Sequence, residues 1–382
     1  MTAFVLPDEY VELRESVRRL ADEHIAPNAA GADEREEYPW PSWHAWRDAG
    51  FAGLAFPEAY GGQDGGILAH AIAVEEVARV CASSSLFTFI SKLAMTPVLD
   101  HGAEDLKQRY VTRVAAGECQ ASYCLSEADA GSDVSGMRTR AVRDGDHYVI
   151  NGQKTYISNG QNCDFILLAC KTDPAAGARG ISIVFVEADT PGFERGRNLE
   201  KIGLKAQDTS ELFFSDMRVP VANLLGEEGK GFSMLMTKLA QERLTQAIRS
   251  SCVCEAAIGW TVDYTSERKA FGGTIADFQN TQFVLAQLAA ETTCARVFTD
   301  QCIADHLLGE LSAVDAAKVK LVVTDLHNKV VNECLQFFGG YGYMVEYPIA
   351  RAFIDARITR IAGGAAEVMK QIIGRDLFKR NK

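Results

Sequence analysis

Tyr123-Cys-Leu-Ser-Glu-Ala-Asp-Ala-Gly-Ser-Asp133 and, a short way on, Asn151-Gly-Gln-Lys-Thr-Tyr-Ile-Ser-Asn-Gly160 decide how this chain folds. Each couples a short β-type run to small polar residues. From Cys119 onward such runs recur: Tyr123 to Leu125, Tyr148 to Ile150, Thr155 to Ile157, Phe165 to Ala169, Ile181 to Val186 and Leu212 to Phe214. Asp144-Gly145, Asn151-Gly152, Asn159-Gly160 and Pro191-Gly192 separate them as turn signals, because Asn, Asp and Gly tolerate the left-handed backbone of tight turns. The spacing predicts an antiparallel sheet or small barrel.

Helical patterns flank this stretch. Leu6 to Ile25 places Tyr10, Leu13, Val17 and Leu20 at helical spacing, and Pro27 is expected to end the run. Ala69 to Val80 and the residues before Pro97 read as helices, with a glycine loop at Gly61-Gly62 and Gly65-Gly66 between helices. Beyond Gly226, helices are expected over Phe232 to Ser266, Phe278 to Leu308, Leu311 to Phe338 and Ala365 to Phe378. The expected architecture is a multidomain α+β chain: an N-terminal helical domain (1–117), a central antiparallel β domain (118–227) and a C-terminal four-helix bundle (228–382).

The 382 residues carry a net charge of −12. Such a surface repels nucleic acid and anionic membrane at long range, so a polyanionic ligand needs a local basic patch or backbone donors. No apolar run reaches the length of a membrane span. Met1-Thr2-Ala3-Phe4 leads to Asp8 and Glu9, without the basic start and apolar core of a signal peptide; a cytoplasmic protein without membrane insertion is expected. Ten scattered cysteines include no CxxC pair, which favours reduced core thiols over a metal site.

Four segments carry candidate chemistry. The Tyr123–Asp133 segment offers hydroxyls and backbone N–H groups, although the residues alone favour an ordinary polar turn. Tyr156 and Ser158, two apart on a strand, share a face, as on any amphipathic strand. Arg268-Lys-Ala-Phe271-Gly272, then Phe278-Gln279 and Gln282, sets an arginine suited to phosphate just past a helix. Gln336-Phe337-Phe-Gly339-Gly340-Tyr-Gly342-Tyr343 follows a helix rather than a strand, so the dinucleotide-binding reading fails on context.

Together these segments resemble the acyl-CoA dehydrogenase family. CLSEADAGSDVSG (124–136) is similar to its first signature, and Gln336 to Asp355, with Glu346 and Arg351, to its second. The resemblance implies FAD as cofactor. It puts Tyr123, Leu125, Ser126, Gly131 and Ser132 at the flavin's pyrimidine edge, with Ser132 also meeting the substrate's phosphopantetheine. Tyr156, Ile157 and Ser158 stand where the family packs an aromatic, usually Trp, by the flavin and bonds its N5. Arg268, Phe271, Phe278, Gln279 and Gln282, with Gln336, Phe337, Gly339 and Gly340, match residues that reach the FAD of a neighbouring subunit. A homotetramer and an electron-transfer flavoprotein as electron acceptor are further implications.

The base departs from the family's usual place. Most members carry it in a Tyr-Glu-Gly-Thr loop, which here reads Ile361-Ala-Gly363-Gly364-Ala365-Ala-Glu367, leaving Gly363 at the base position. Isovaleryl- and long-chain-type members share that glycine and keep a Glu-Arg-Leu on a helix; Gln241-Glu242-Arg243-Leu244 matches it. By resemblance, Glu242 removes the α-proton of an acyl-CoA as the β-hydride passes to FAD, leaving a trans-2-enoyl thioester. The Glu367 N–H helps hold the thioester carbonyl, Ala365 adjoins the cofactor, and Arg243, Gly363 and Gly364 line the substrate. A same-fold oxidase or monooxygenase, a desaturase of carrier-bound acyl groups and an inactive FAD-binding subunit stay open as alternatives.

Overall fold

The computed structural model describes residues 6–379; Met1 to Phe4, read above as no signal peptide, lie outside them. The N-terminal part holds α1 (Asp8–Leu20), α2 (Ala26–Arg35), α3 (Trp40–Asp48), α4 (Gly66–Ala78), α5 (Ile90–His101), α6 (Glu104–Leu106) and α7 (Thr112–Ala115). Pro27 does not end the first helix. A π turn over Ala21–Ile25, closed by the Ala26 N–H on the Ala21 carbonyl, shifts the helical phase. Pro27 thereby falls in the first turn of α2, where its missing N–H is no loss. The stop is Glu36, in the left-handed region at φ 53°. Helix α5 likewise runs through Pro97. Helix α4 is buried from Ile67 to Ala78, as suits a helix enclosed on all sides.

The β region comprises β1 (Ala121–Cys124), β2 (Arg140–Asp144), β3 (His147–Ser158), β4 (Phe165–Lys171), β5 (Ile181–Glu187), β6 (Phe193–Asn198) and β7 (Thr209–Pro220). They form one sheet in the order β1-β4-β2-β3-β7-β6, with β5 on β4. The antiparallel expectation holds for most pairs, but β1 runs parallel to β4 and a single parallel bridge joins β2 to β4. Strand β4 is reached from β1 only after the β2–β3 hairpin has intervened, a crossover that leaves both strands pointing the same way. Asn151-Gly152 is not a turn. Both flanking runs belong to β3, and the register slips between Ile150 and Gly152. A Cβ on Gly152 would stand 2.5 Å from Thr139 Oγ1, so glycine here serves close approach within a bulge.

The C-terminal part contains α8 (Gly231–Glu267), a small hairpin of β8 (Lys269–Ala270) and β9 (Gly273–Thr274), then α9 (Gln279–Leu307), α10 (Ala313–Phe338), α11 (Pro348–Ala356) and α12 (Ala366–Lys379). The four long helices start and stop within two residues of the expected limits. Ser312 caps α10 through its Oγ, which accepts from the Asp315 N–H at 3.0 Å. Met95, Tyr110, Phe165, Phe185, Met234 and Leu235 form one apolar cluster shared by α5, the sheet and α8. This ties the start of α8 to the mouth of the sheet. All ten cysteines are free and nine are buried. Among the described residues no helix is long and apolar enough to cross a membrane, and no His, Cys, Asp and Glu cluster could hold a metal.

Candidate active site

The loop after β1 is held by a buried ion pair. Lys154 Nζ of β3 donates to Glu127 Oε1 at 2.8 Å and to the Leu125 carbonyl at 2.9 Å. Glu127 also accepts the N–H groups of Arg138 (2.6 Å) and Thr139 (3.0 Å). Ser126 is tied to β3 through its carbonyl, which accepts from the Thr155 N–H at 3.0 Å. With these anchors fixed, Gly131 and Ser132 remain exposed at the loop tip. Beside them, Tyr156 is 68% exposed and sits at φ 60°, on a register shift between Lys154 and Ile157. The backbone there holds a non-glycine residue in the sparsely populated left-handed region and leaves its ring in the open. Ile157 points into the core, while Ser158 lies half-buried on the Tyr156 side.

Helix α8 brings Glu242 to this region. The side chain is half-buried, and dehydration of its carboxyl raises the pKa against the opposing charges of Arg243 and Lys320. Tyr123 lies close enough for the Glu242 charge to add to the effect of burial in raising its phenol. Across from Glu242 is Gly363, at φ +65°; a Cβ there would stand 3.8 Å from Glu242 Oε1 and 3.1 Å from Gln246 Cγ. Neighbouring Gly364 has φ +97°, and a Cβ on it would be 4.0 Å from Arg243 Nε. The first turn of α12 follows at once, with Glu367 exposed; first-turn N–H groups have no partner within their own helix.

The sequence reading missed Lys320, which is wholly buried on α10 and donates through Nζ to the Gly364 carbonyl at 2.7 Å. Burial lowers its pKa to about 8. A lysine between Val319 and Leu321 was the available signal. Gln246 and Arg249, further along α8, and His327 on α10 also escaped notice; all three are buried.

The second set of expected residues lies elsewhere. Arg268 caps the far end of α8, its guanidinium carbon 5.5 Å from the centre of the Tyr341 ring and without an ion-pair partner among the described residues. Phe271 is 96% exposed and meets Phe278 edge-on at 6.1 Å. Gln279 and Gln336 are exposed, Phe337 half-buried, and Gln282 Nε2 donates to the Ala276 carbonyl at 3.0 Å. A Cβ on Gly339 or Gly340 would meet nothing within 4 Å, whereas one on Gly342 would stand 2.5 Å from the Leu335 carbonyl oxygen. The first two glycines therefore leave an open cradle and the third serves packing. Along α8, Arg268 is about 39 Å from Glu242 at 1.5 Å per residue, farther than one dinucleotide reaches. The residues of each cluster suit one half of an FAD: hydroxyls, loop N–H groups and an exposed ring by the first, a free guanidinium with aromatics and open glycines by the second.

Models of the acyl-CoA dehydrogenase N-terminal, middle and C-terminal domains match residues 7–118, 122–217 and 229–378. The chain belongs to the acyl-CoA dehydrogenase family. The family is one of FAD-dependent oxidoreductases, and the resemblance carried by the motifs is borne out. The mitochondrial long-chain specific acyl-CoA dehydrogenase of Sus scrofa is 38% identical over 375 residues, covering 98% of this chain and 87% of that one. A solved acyl-CoA dehydrogenase from Geobacillus kaustophilus shares 40% identity and superposes with a TM-score of 0.94, covering 98% and 100% of the two chains. A chain solved in work on the electron transferring flavoprotein of Acidaminococcus fermentans is 34% identical with a TM-score of 0.94, covering 98% and 99%.

Proposed function

We propose that this acyl-CoA dehydrogenase converts an acyl-CoA thioester to its trans-2-enoyl form, with Glu242 as the base that removes the α-proton. The observation that carries the reading is the pairing of Glu242 with Gly363: a carboxyl of raised pKa facing a loop position that bears no side chain. A base of raised pKa is matched to a weakly acidic C–H. The Glu367 N–H, at the start of α12, is free to donate to the thioester carbonyl and stabilise developing negative charge. Lys320 holds the Gly363-Gly364 loop through the Gly364 carbonyl. Arg243 flanks that loop, and Ser132 takes the substrate's polar arm.

FAD, when bound, supplies the acceptor for the β-hydride. Tyr123, Leu125, Ser126, Gly131, Ser132, Tyr156, Ile157, Ser158 and Ala365 would hold its flavin end. Arg268, Phe271, Phe278, Gln279, Gln282, Gln336, Phe337, Gly339, Gly340 and the Glu367 segment complete the set. The separation of the two clusters along α8 supports a site shared between subunits; membership of the family supports a homotetramer with electron-transfer flavoprotein as its electron acceptor. Exposed Phe271, Phe283, Tyr343 and Val345 give that face apolar area to bury.

Anaerobic titration of the flavin-loaded protein with acyl-CoAs of different length and branching tests the reading. Bleaching of flavin absorbance by a group of thioesters is expected. Bound FAD that no acyl-CoA bleaches would overturn it.

A further inference from the structure

One face of α8 continues from Glu242 through Gln246 to Arg249, at i+4 and i+7. The helix is exposed at Met236 and Thr237 and buried without a break from Arg243 to Cys254. Arg249 thus lies on the buried stretch of the helix, inward from Glu242. Arg249 is only 3% exposed, its side chain makes no hydrogen bond or salt bridge among the described residues, and its Nη1 has no partner. His327 of α10, close enough for the Arg249 charge to act on it, is buried with both ring nitrogens unpartnered. Burial, with Arg249's charge adding to it, lowers the His327 pKa to about 3, so the ring is neutral and keeps one N–H to donate. Asp355 of α11 acts on Arg249 through space, while its own Oδ1 accepts the Leu204 N–H at 2.5 Å.

An unpaired guanidinium is costly in a protein interior, and plain alkyl chains offer it nothing. A carboxylate satisfies it bidentately and also takes a hydrogen bond from His327. We propose that the acyl group of the substrate ends in a carboxylate, bound by Arg249 with His327. Seven helical residues separate Glu242 from Arg249, about 10 Å, and side chains lean toward the helix N-terminus. This places the carboxylate roughly four to eight carbons beyond the α-carbon of an extended chain. The inference rests on Glu242 being the base.

The test uses the FAD-loaded protein and pairs of CoA thioesters of equal length, one alkanoyl and one ω-carboxyalkanoyl. Anaerobic bleaching and kcat/KM with an artificial electron acceptor are read for each. The ω-carboxy member is expected to be preferred by about tenfold or more, and Arg249→Leu to lower that ratio by about 10–100-fold, the scale of a charged hydrogen bond. Arg249→Lys should retain part of the preference. If Arg249→Leu fails to fold, Arg249→Lys and His327→Leu carry the same ratio test. Preference for the alkanoyl member, or a ratio untouched by the variants, overturns this inference and leaves the dehydrogenase reading standing. Bound FAD bleached by neither member overturns both.

Discussion

Glu242→Gln separates the chemistry of the base from its effect on the fold, because the two consequences have opposite signs. The amide keeps the size of the carboxyl and its place opposite Gly363 but accepts no proton. Glu367 is exposed on the first turn of α12 and is not placed to take over. Turnover should fall by about 10²–10⁴-fold, the usual contribution of a general base, or about 3–5.5 kcal/mol in barrier height. Stability should move the other way. Burial raises the Glu242 pKa from 4.5, outweighing Arg243 and Lys320. The native state then holds this proton more tightly than the unfolded chain, so its contribution to stability declines as pH rises from 4.5 through the folded value. Glutamine removes that loss. Thermal melts at pH 4 and pH 8 should show a Tm for Glu242→Gln that meets wild type in acid and exceeds it at the higher pH. Stopped-flow flavin reduction supplies the rate. Reduction within about tenfold of wild type would remove Glu242 from the base role. A slow variant with a lowered Tm at both pH values would assign the loss to damaged packing instead.

Other perturbations follow from the same geometry. The acid limb of wild-type kcat/KM should report an apparent pKa above 4.5, activity falling as pH drops through it; a limb at or below 4.5 contradicts the buried carboxyl. Lys154→Met leaves Glu127 charged and buried, and should destabilise by about 3–5 kcal/mol in urea melts while loosening flavin retention; unchanged FAD content on dilution would show that the β1 loop is held without the pair. Lys320→Met should lower kcat/KM about tenfold, near 1.4 kcal/mol, by freeing the Gly364 carbonyl, with little effect on FAD binding. Gly342→Ala drives a Cβ to 2.5 Å from the Leu335 carbonyl oxygen and should cost about 1–3 kcal/mol of stability.

The long C-terminal helices were legible because their apolar periodicity runs over several turns and their ends carry local signals, such as Ser312 before α10 and Gly339 after it. Pro27 and Asn151-Gly152 misled for a common reason: each is a local stop signal that tertiary structure overrides. The π turn before Pro27 moves it to a tolerated position, and Thr139 packs against Gly152 so that a bulge replaces a turn. Strands β2 and β6 escaped notice because RAVRD and FERGRN are charged and largely exposed; they are strands through their partners. The candidate base was readable only from two distant places at once, the glycine at 363 and the glutamate at 242. Lys320, Arg249 and His327 were invisible for the opposite reason. Each is one polar residue on a helix, and a sequence does not show whether such a residue faces water or the interior.

Moving a base from a loop to a helix changes what the surrounding structure must control. A loop glutamate depends on the loop for its position. Glu242 takes its position from α8, which is fixed by continuous burial from Arg243 to Cys254 and by the packing of Met234 and Leu235 against α5 and the sheet. The loop is relieved of that task, and both of its glycines adopt positive φ, which no side chain has to share. It is left to offer backbone: the Gly364 carbonyl to Lys320 and, in the proposed reaction, the α12 N–H groups. Substitution of Gly363 should therefore harm activity through the backbone and through Gln246, 3.1 Å from the added Cβ, before it touches Glu242 at 3.8 Å. Gly363→Ala should depress kcat/KM while the acid-limb pKa stays where it was. A shifted pKa would mean that the loop, and not α8, sets the environment of the base.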